Sequence, residues 1–86
     1  MPLIALFYGI RVNMYYDDHN PPYFHAEYNG YSAIIEISKA RVIKGNLPSR
    51  KLKLILAWCV LHQDELMQNW ELAKDDKELN KINPLI

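Results

Sequence analysis

Apolar and polar positions alternate through the first half of the chain and then change period. Leu3 to Phe7 is a short apolar run, and Ile10, Val12, Met14 and Tyr16 alternate with Arg11, Asn13 and Tyr15, the two-residue period of a half-buried strand. Gly9 between them marks a turn or a bulge. Asn29-Gly30 is the strongest two-residue hairpin signal and sets Tyr28 opposite Tyr31. Counting back pairs Glu27 with Ser32, Ala26 with Ala33, His25 with Ile34, Phe24 with Ile35 and Tyr23 with Glu36. One face then carries Phe24, Ala26, Tyr28, Tyr31, Ala33, Ile35 and Ile37. The other carries Tyr23, His25, Glu27, Ser32 and Glu36, with Ile34 its only aliphatic. One packed and one wetter face is ordinary for antiparallel strands, so the content of the polar face is geometric. His25 points the same way as Glu27 and Glu36.

A short strand around Arg41 to Ile43 follows, and Gly45-Asn46 breaks the pattern. Leu47-Pro48-Ser49 then opens a helix, with Pro48 in a first turn where its missing N–H costs nothing. To about Lys74 the apolar positions Leu52, Ile55, Leu56, Cys59, Leu66, Met67, Trp70 and Ala73 recur at helical spacing. Asp75-Asp76 ends the helix, and a tail follows whose Ile82, Pro84, Leu85 and Ile86 pack back. The pattern therefore predicts one α+β domain over residues 1–86: an antiparallel sheet of about four strands packed against one long C-terminal helix. Its β-rich half covers 1–44, the helix 47–74 and the tail 75–86.

Composition adds little to that picture but excludes several classes. Half of the 86 residues are hydrophobic, which argues against disorder and supplies one modest core. The start Met-Pro-Leu-Ile does not read as a signal peptide, and the longest apolar run, Leu54 to Leu61, falls far short of a membrane span. A soluble cytoplasmic protein with no membrane partner is expected. The lone Cys59 lies in that run and reads as a small buried hydrophobe. Trp58 and Trp70 read as core or interface anchors, and His62, with Glu65 three residues on, as a partly buried histidine capping the core.

Charge changes the picture more. Formal net charge is zero, yet no acidic residue stands between Glu36 and Asp64, where Lys39, Arg41, Lys44, Arg50, Lys51 and Lys53 all lie. Such segregation suits an acidic partner, RNA or DNA. Arg50, Lys51 and Lys53 occupy the first turns of the helix, where the macrodipole disfavours cations by roughly 0.3 to 1 kcal/mol each. A bound anion would account for them. Tyr8, Tyr15, Tyr16, Tyr23 and Tyr31 can interleave with this basic segment for RNA or line a protein interface.

The side chains capable of acid–base work concentrate between Asp17 and Gly30, which holds two of the three histidines. Pro21-Pro22 stiffens the loop carrying His19 where it meets the strand carrying His25. Cleavage of an RNA phosphodiester needs one group to take the 2′-hydroxyl proton and another to protonate the leaving oxygen, and imidazole titrates in the right range. His25 and His19 are the candidate pair, Tyr23 a substitute donor and Glu27 a carboxylate neighbour. Asp17 or Asp18 with His19 and His25 would offer a metal oxygen and nitrogen, but the spacing matches no standard site. No metal and no other cofactor is expected.

The chain resembles a bacterial family, domain of unknown function 4160, over essentially its whole length. The resemblance rests on Pro2-Leu3-Ile4 with Phe7-Tyr8-Gly9-Ile10, on His19-Asn20-Pro21-Pro22-Tyr23-Phe24-His25 and on Gly45-Asn46-Leu47-Pro48. It continues through Trp58, His62, Glu65-Leu66, Asn69-Trp70-Glu71 and Ile82-Asn83-Pro84-Leu85. Members resemble the toxin-like half of two-gene toxin-antitoxin cassettes, which implies a small antitoxin-like protein partner encoded nearby but supplies no reaction; action on RNA is the expectation from the residues, and homo-oligomerisation is left open. The family commonly has a histidine where Tyr23 stands here, so His19 and His25 are the shared pair. The alternative is a non-catalytic interaction module that binds its partner through the basic and tyrosine-rich surface.

Overall fold

The computed structural model describes residues 2–16 and 20–85. Five strands, β1 (Leu3–Phe7), β2 (Ile10–Asn13), β3 (Tyr23–Tyr28), β4 (Tyr31–Glu36) and β5 (Arg41–Asn46), form an antiparallel sheet in sequential order. Helices α1 (Ser49–Leu61) and α2 (Gln63–Lys74) follow. The class is α+β, as the pattern predicts.

The β3–β4 hairpin has the expected register at all six pairs, from Tyr23 with Glu36 to Tyr28 with Tyr31. Asn29 and Gly30 both have positive φ, 47° and 89°, the two left-handed positions of a type I′ turn, whose twist matches that of the strands. The face carrying Phe7, Ile10, Val12, Phe24, Ala26 and Ile35 is buried. Trp58 of α1 packs on it, with ring centroids 5.3 Å from Phe7 and 5.7 Å from Phe24. Tyr31, expected on this face, lies at its exposed end.

Two expectations about elements need correction. The sheet has five strands rather than about four, and β5 continues through Gly45-Asn46 instead of stopping at Ile43. The register slips between Ile34 and Ile35, and beyond the slip Ala33 still pairs with Gly45. Gly45 sits at φ +80°, where a Cβ would stand 2.3 Å from the Ser32 carbonyl oxygen. Glycine therefore keeps the ladder closed where it was expected to end it.

The single helix over 47–74 is two helices, separated at His62 (φ −125°, ψ 27°). Neither glycine nor proline stands there to mark the break. The His62 ring lies on Trp58 with centroids 5.4 Å apart, and its Nδ1 meets Glu65 Oε1. The adjoining Gln63 Nε2 donates to the carbonyls of Ile37 (2.9 Å) and Ser38 (3.2 Å), which ties the start of α2 to the end of β4. Tertiary bonds thus set the new helix direction, while Ile55, Trp58 and Cys59 on α1 and Leu66, Asn69, Trp70 and Ala73 on α2 stay buried. Pro48 precedes α1 and gives its carbonyl to the Leu52 N–H (2.9 Å).

Asp75-Asp76 ends α2 as expected. Asp76 has φ 58°, and the Lys77 and Asp76 N–H groups return to the carbonyls of Leu72 and Ala73 in a Schellman arrangement. The tail packs back beside β1: Asn69 exchanges two 2.9 Å hydrogen bonds with the backbone of Asn80, and the Ile82 N–H donates to the Ile4 carbonyl (2.9 Å). The Trp58 indole N–H donates to the Asn83 carbonyl (2.8 Å). Ile82 is buried and Leu85 half-buried, whereas Pro84 is exposed and Ile86 lies outside the described residues.

Candidate functional site

Strand alternation sends every second side chain away from the helices. The pairs Arg11 with Glu27, Asn13 with His25, His25 with Ile34 and Ile34 with Lys44 form two rows across the opposite face. The helices occupy the other side, so the polar face is largely free of helix cover; at its end Tyr23 reaches Trp70 of α2.

His25 sits half-buried at the middle of this face. The Tyr15 ring meets it edge-on at 4.2 Å between centroids, and Tyr23 leans on it at 5.5 Å while also packing against Trp70 of α2 at 5.2 Å. Burial holds the imidazole pKa below its ordinary value, and the nearby Glu27 charge offsets this only in part. At neutral pH the ring is therefore uncharged, with one nitrogen able to accept a proton. Glu27 itself accepts a hydrogen bond from Asn13 Nδ2 (3.2 Å), and Asn13 is buried.

Two open clefts lie on the face and meet at Ser32. One, about 200 Å³, is lined by His25, Ser32, Ile34, Lys44 and Gly45, so one imidazole-bearing and one lysine residue border the same small volume. The other, about 420 Å³, holds Arg11, Glu27 and the Asn29-Gly30 turn.

The expected basic group is not one patch. Lys44 alone of its members lines the cleft with His25. Arg41 shares the face, but its Nε donates to Glu36 Oε1 (2.7 Å), and with the Ser38 hydroxyl it holds the Glu36 carboxyl below its ordinary range. Lys39 lies in the β4–β5 turn, and Arg50 and Lys53 are exposed on α1. Lys51 donates to the Tyr8 carbonyl (3.1 Å) and stands 4.8 Å from the centroid of Tyr28. That contact explains one of the cations at the helix start without a bound anion.

Of the four acid–base candidates, His25, Tyr23 and Glu27 share the open face. His19 lies outside the described residues, and so do Asp17 and Asp18, with which the metal set was drawn. His62 belongs to the helix side, on Trp58. Tyr8, Tyr16 and Tyr31 are exposed as expected, whereas Tyr15 and Tyr23 are half-buried around His25. The neighbours Arg11 and Asn13 were not singled out from the sequence as site residues, and Tyr15 only as one of five tyrosines for RNA or a protein interface. Alternation put Arg11 and Asn13 on one face of β2, but the long loop before β3 left the β2–β3 register open.

The family model described as domain of unknown function (DUF4160) matches residues 9–71, which include every residue named on the open face. Neither the curated proteins nor the solved structures contain a match to the chain.

Proposed function

The chain belongs to the DUF4160 family, whose description names no reaction, and from that premise we propose that it is the toxin-like member of a two-protein pair and acts on RNA across the helix-free face of its sheet. One observation carries the reading: the half-buried His25 and the exposed Lys44 line the same small cleft on that face. Neutral His25 takes the proton of a 2′-hydroxyl, and the 2′-oxygen attacks the adjacent phosphorus. Lys44 neutralises the charge gathering on the non-bridging oxygens. The 5′-oxygen leaves with a proton, which the loop carrying His19 is expected to supply. Tyr15 and Tyr23 hold the plane of the His25 ring, and the aromatic rim offers bases a surface to stack on.

Induction of the chain alone in a bacterial host tests this, beside His25→Ala and Lys44→Ala variants whose circular dichroism matches the wild type. Arrest of growth with shortened RNA in the wild type, and neither in His25→Ala, is the expected result. Arrest indifferent to both substitutions would overturn it.

A second reading, the non-catalytic interaction module, has its own support. Glu27 is held by Asn13 and Tyr23 by Trp70, so two of the four acid–base candidates are engaged within the fold. That module would bind its partner with His25 replaced, and its expression would leave RNA intact.

A further inference from the structure

The two edges of the sheet are treated differently. At β1 the tail lies alongside, with the Ile82 N–H on the Ile4 carbonyl and Lys81 Nζ on the Leu3 carbonyl (2.6 Å). At β5, among the described residues, no backbone hydrogen bond reaches any strand but β4. Five of the six residues of β5 are exposed, among them Ile43 at 46 %. An uncovered edge presents a row of N–H and C=O groups, a template for one more strand.

We infer that the β5 edge receives an extended acidic segment of another protein as a sixth strand. Charge selects the occupant. Lys39, Arg41 and Lys44 lie along this edge and its turn, and the one carboxylate beside them, Glu36, is consumed by Arg41. A second copy paired edge to edge would set these cations against their own kind, which is unfavourable across a ladder. A phosphate strand supplies acceptors only and leaves the edge carbonyls without donors, whereas a peptide supplies both in the alternation the edge requires. The irregularity next to Ile43 leaves that side chain exposed between the cations, an apolar contact for the incoming strand. Binding here does not depend on the RNA reading, since it uses backbone groups of β5 and not His25.

The test uses the whole chain and three fluorescein-labelled octapeptides: alternating Glu-Val, the same peptide methylated on every backbone nitrogen, and alternating Lys-Val. Anisotropy gives the affinities, and amide exchange locates the contact. The Glu-Val peptide is expected to bind and to slow exchange along Arg41–Asn46. The methylated form and the Lys44→Glu variant are each expected to bind about tenfold more weakly or worse. His25→Ala is expected to leave the affinity unchanged, which separates this result from the fate of the RNA reading. Equal binding of the methylated peptide, protection elsewhere than β5, or no binding of the Glu-Val peptide at about 1 mM would each overturn the inference.

Discussion

Gly45→Ala is the substitution through which the cleft, the β5 edge and the stability of the sheet can be probed together. Two costs add. At φ +80° an L side chain sits in the left-handed region, a penalty of about 1–2 kcal/mol. The new Cβ would also stand 2.3 Å from the Ser32 carbonyl oxygen, a backbone atom of the β4–β5 ladder that can move only with its strand. Relieving that overlap costs about 1–3 kcal/mol more. A total near 3 kcal/mol is expected, equivalent to roughly 12–24 °C in Tm for a domain of this size. Gly30→Ala is the control: it carries the same kind of backbone penalty at φ +89° but has nothing within 4 Å of its Cβ. Urea titrations of the wild type and both variants give the three stabilities. If Gly45→Ala costs no more than Gly30→Ala, the close approach to Ser32 does not hold in solution and the reasoning fails.

Three further outcomes follow from individual groups. His25 is held below its ordinary pKa of 6.5, so the unfolded chain takes up this proton first. Its contribution to stability is complete above about pH 6.5 and is lost as the pH falls through the folded pKa. Urea midpoints between pH 7 and pH 5 should therefore fall less steeply in His25→Phe than in the wild type, and equal slopes would count against burial of the ring. Burial pushes the Cys59 thiol up to about 11, so a disulfide reagent at pH 8 should label it only at the rate of global unfolding. Asn69→Ala removes both hydrogen bonds to the Asn80 backbone and should cost about 1–3 kcal/mol, with earlier proteolysis of the tail read by mass spectrometry.

Local signals in the sequence carried the parts of the fold that are locally determined. Asn29-Gly30 specifies both its turn and the register of six pairs, because a two-residue loop leaves no slack. Alternation alone placed His25, Glu27 and Tyr23 on one face, and the apolar spacing found the buried faces of both helices. What was not legible depends on contacts between distant segments. The break at His62 is held by Gln63 reaching Ile37 and Ser38, some 25 residues away. Gly45 reads as a breaker until Ser32 is known to lie against it. The split of the basic run is likewise a matter of partners: Arg41 is spent on Glu36 and Lys51 on Tyr8, which no spacing rule reveals.

That the helix-free face of the sheet is the working surface is tested most directly by titrating a single-stranded RNA oligonucleotide into isotopically labelled protein and following the amide signals. Shifts confined to β2, β3, β4 and β5, centred on Arg11, His25 and Lys44 and reduced in Lys44→Ala, are the expected result. Shifts confined to α1 and α2, or none at all, would contradict it.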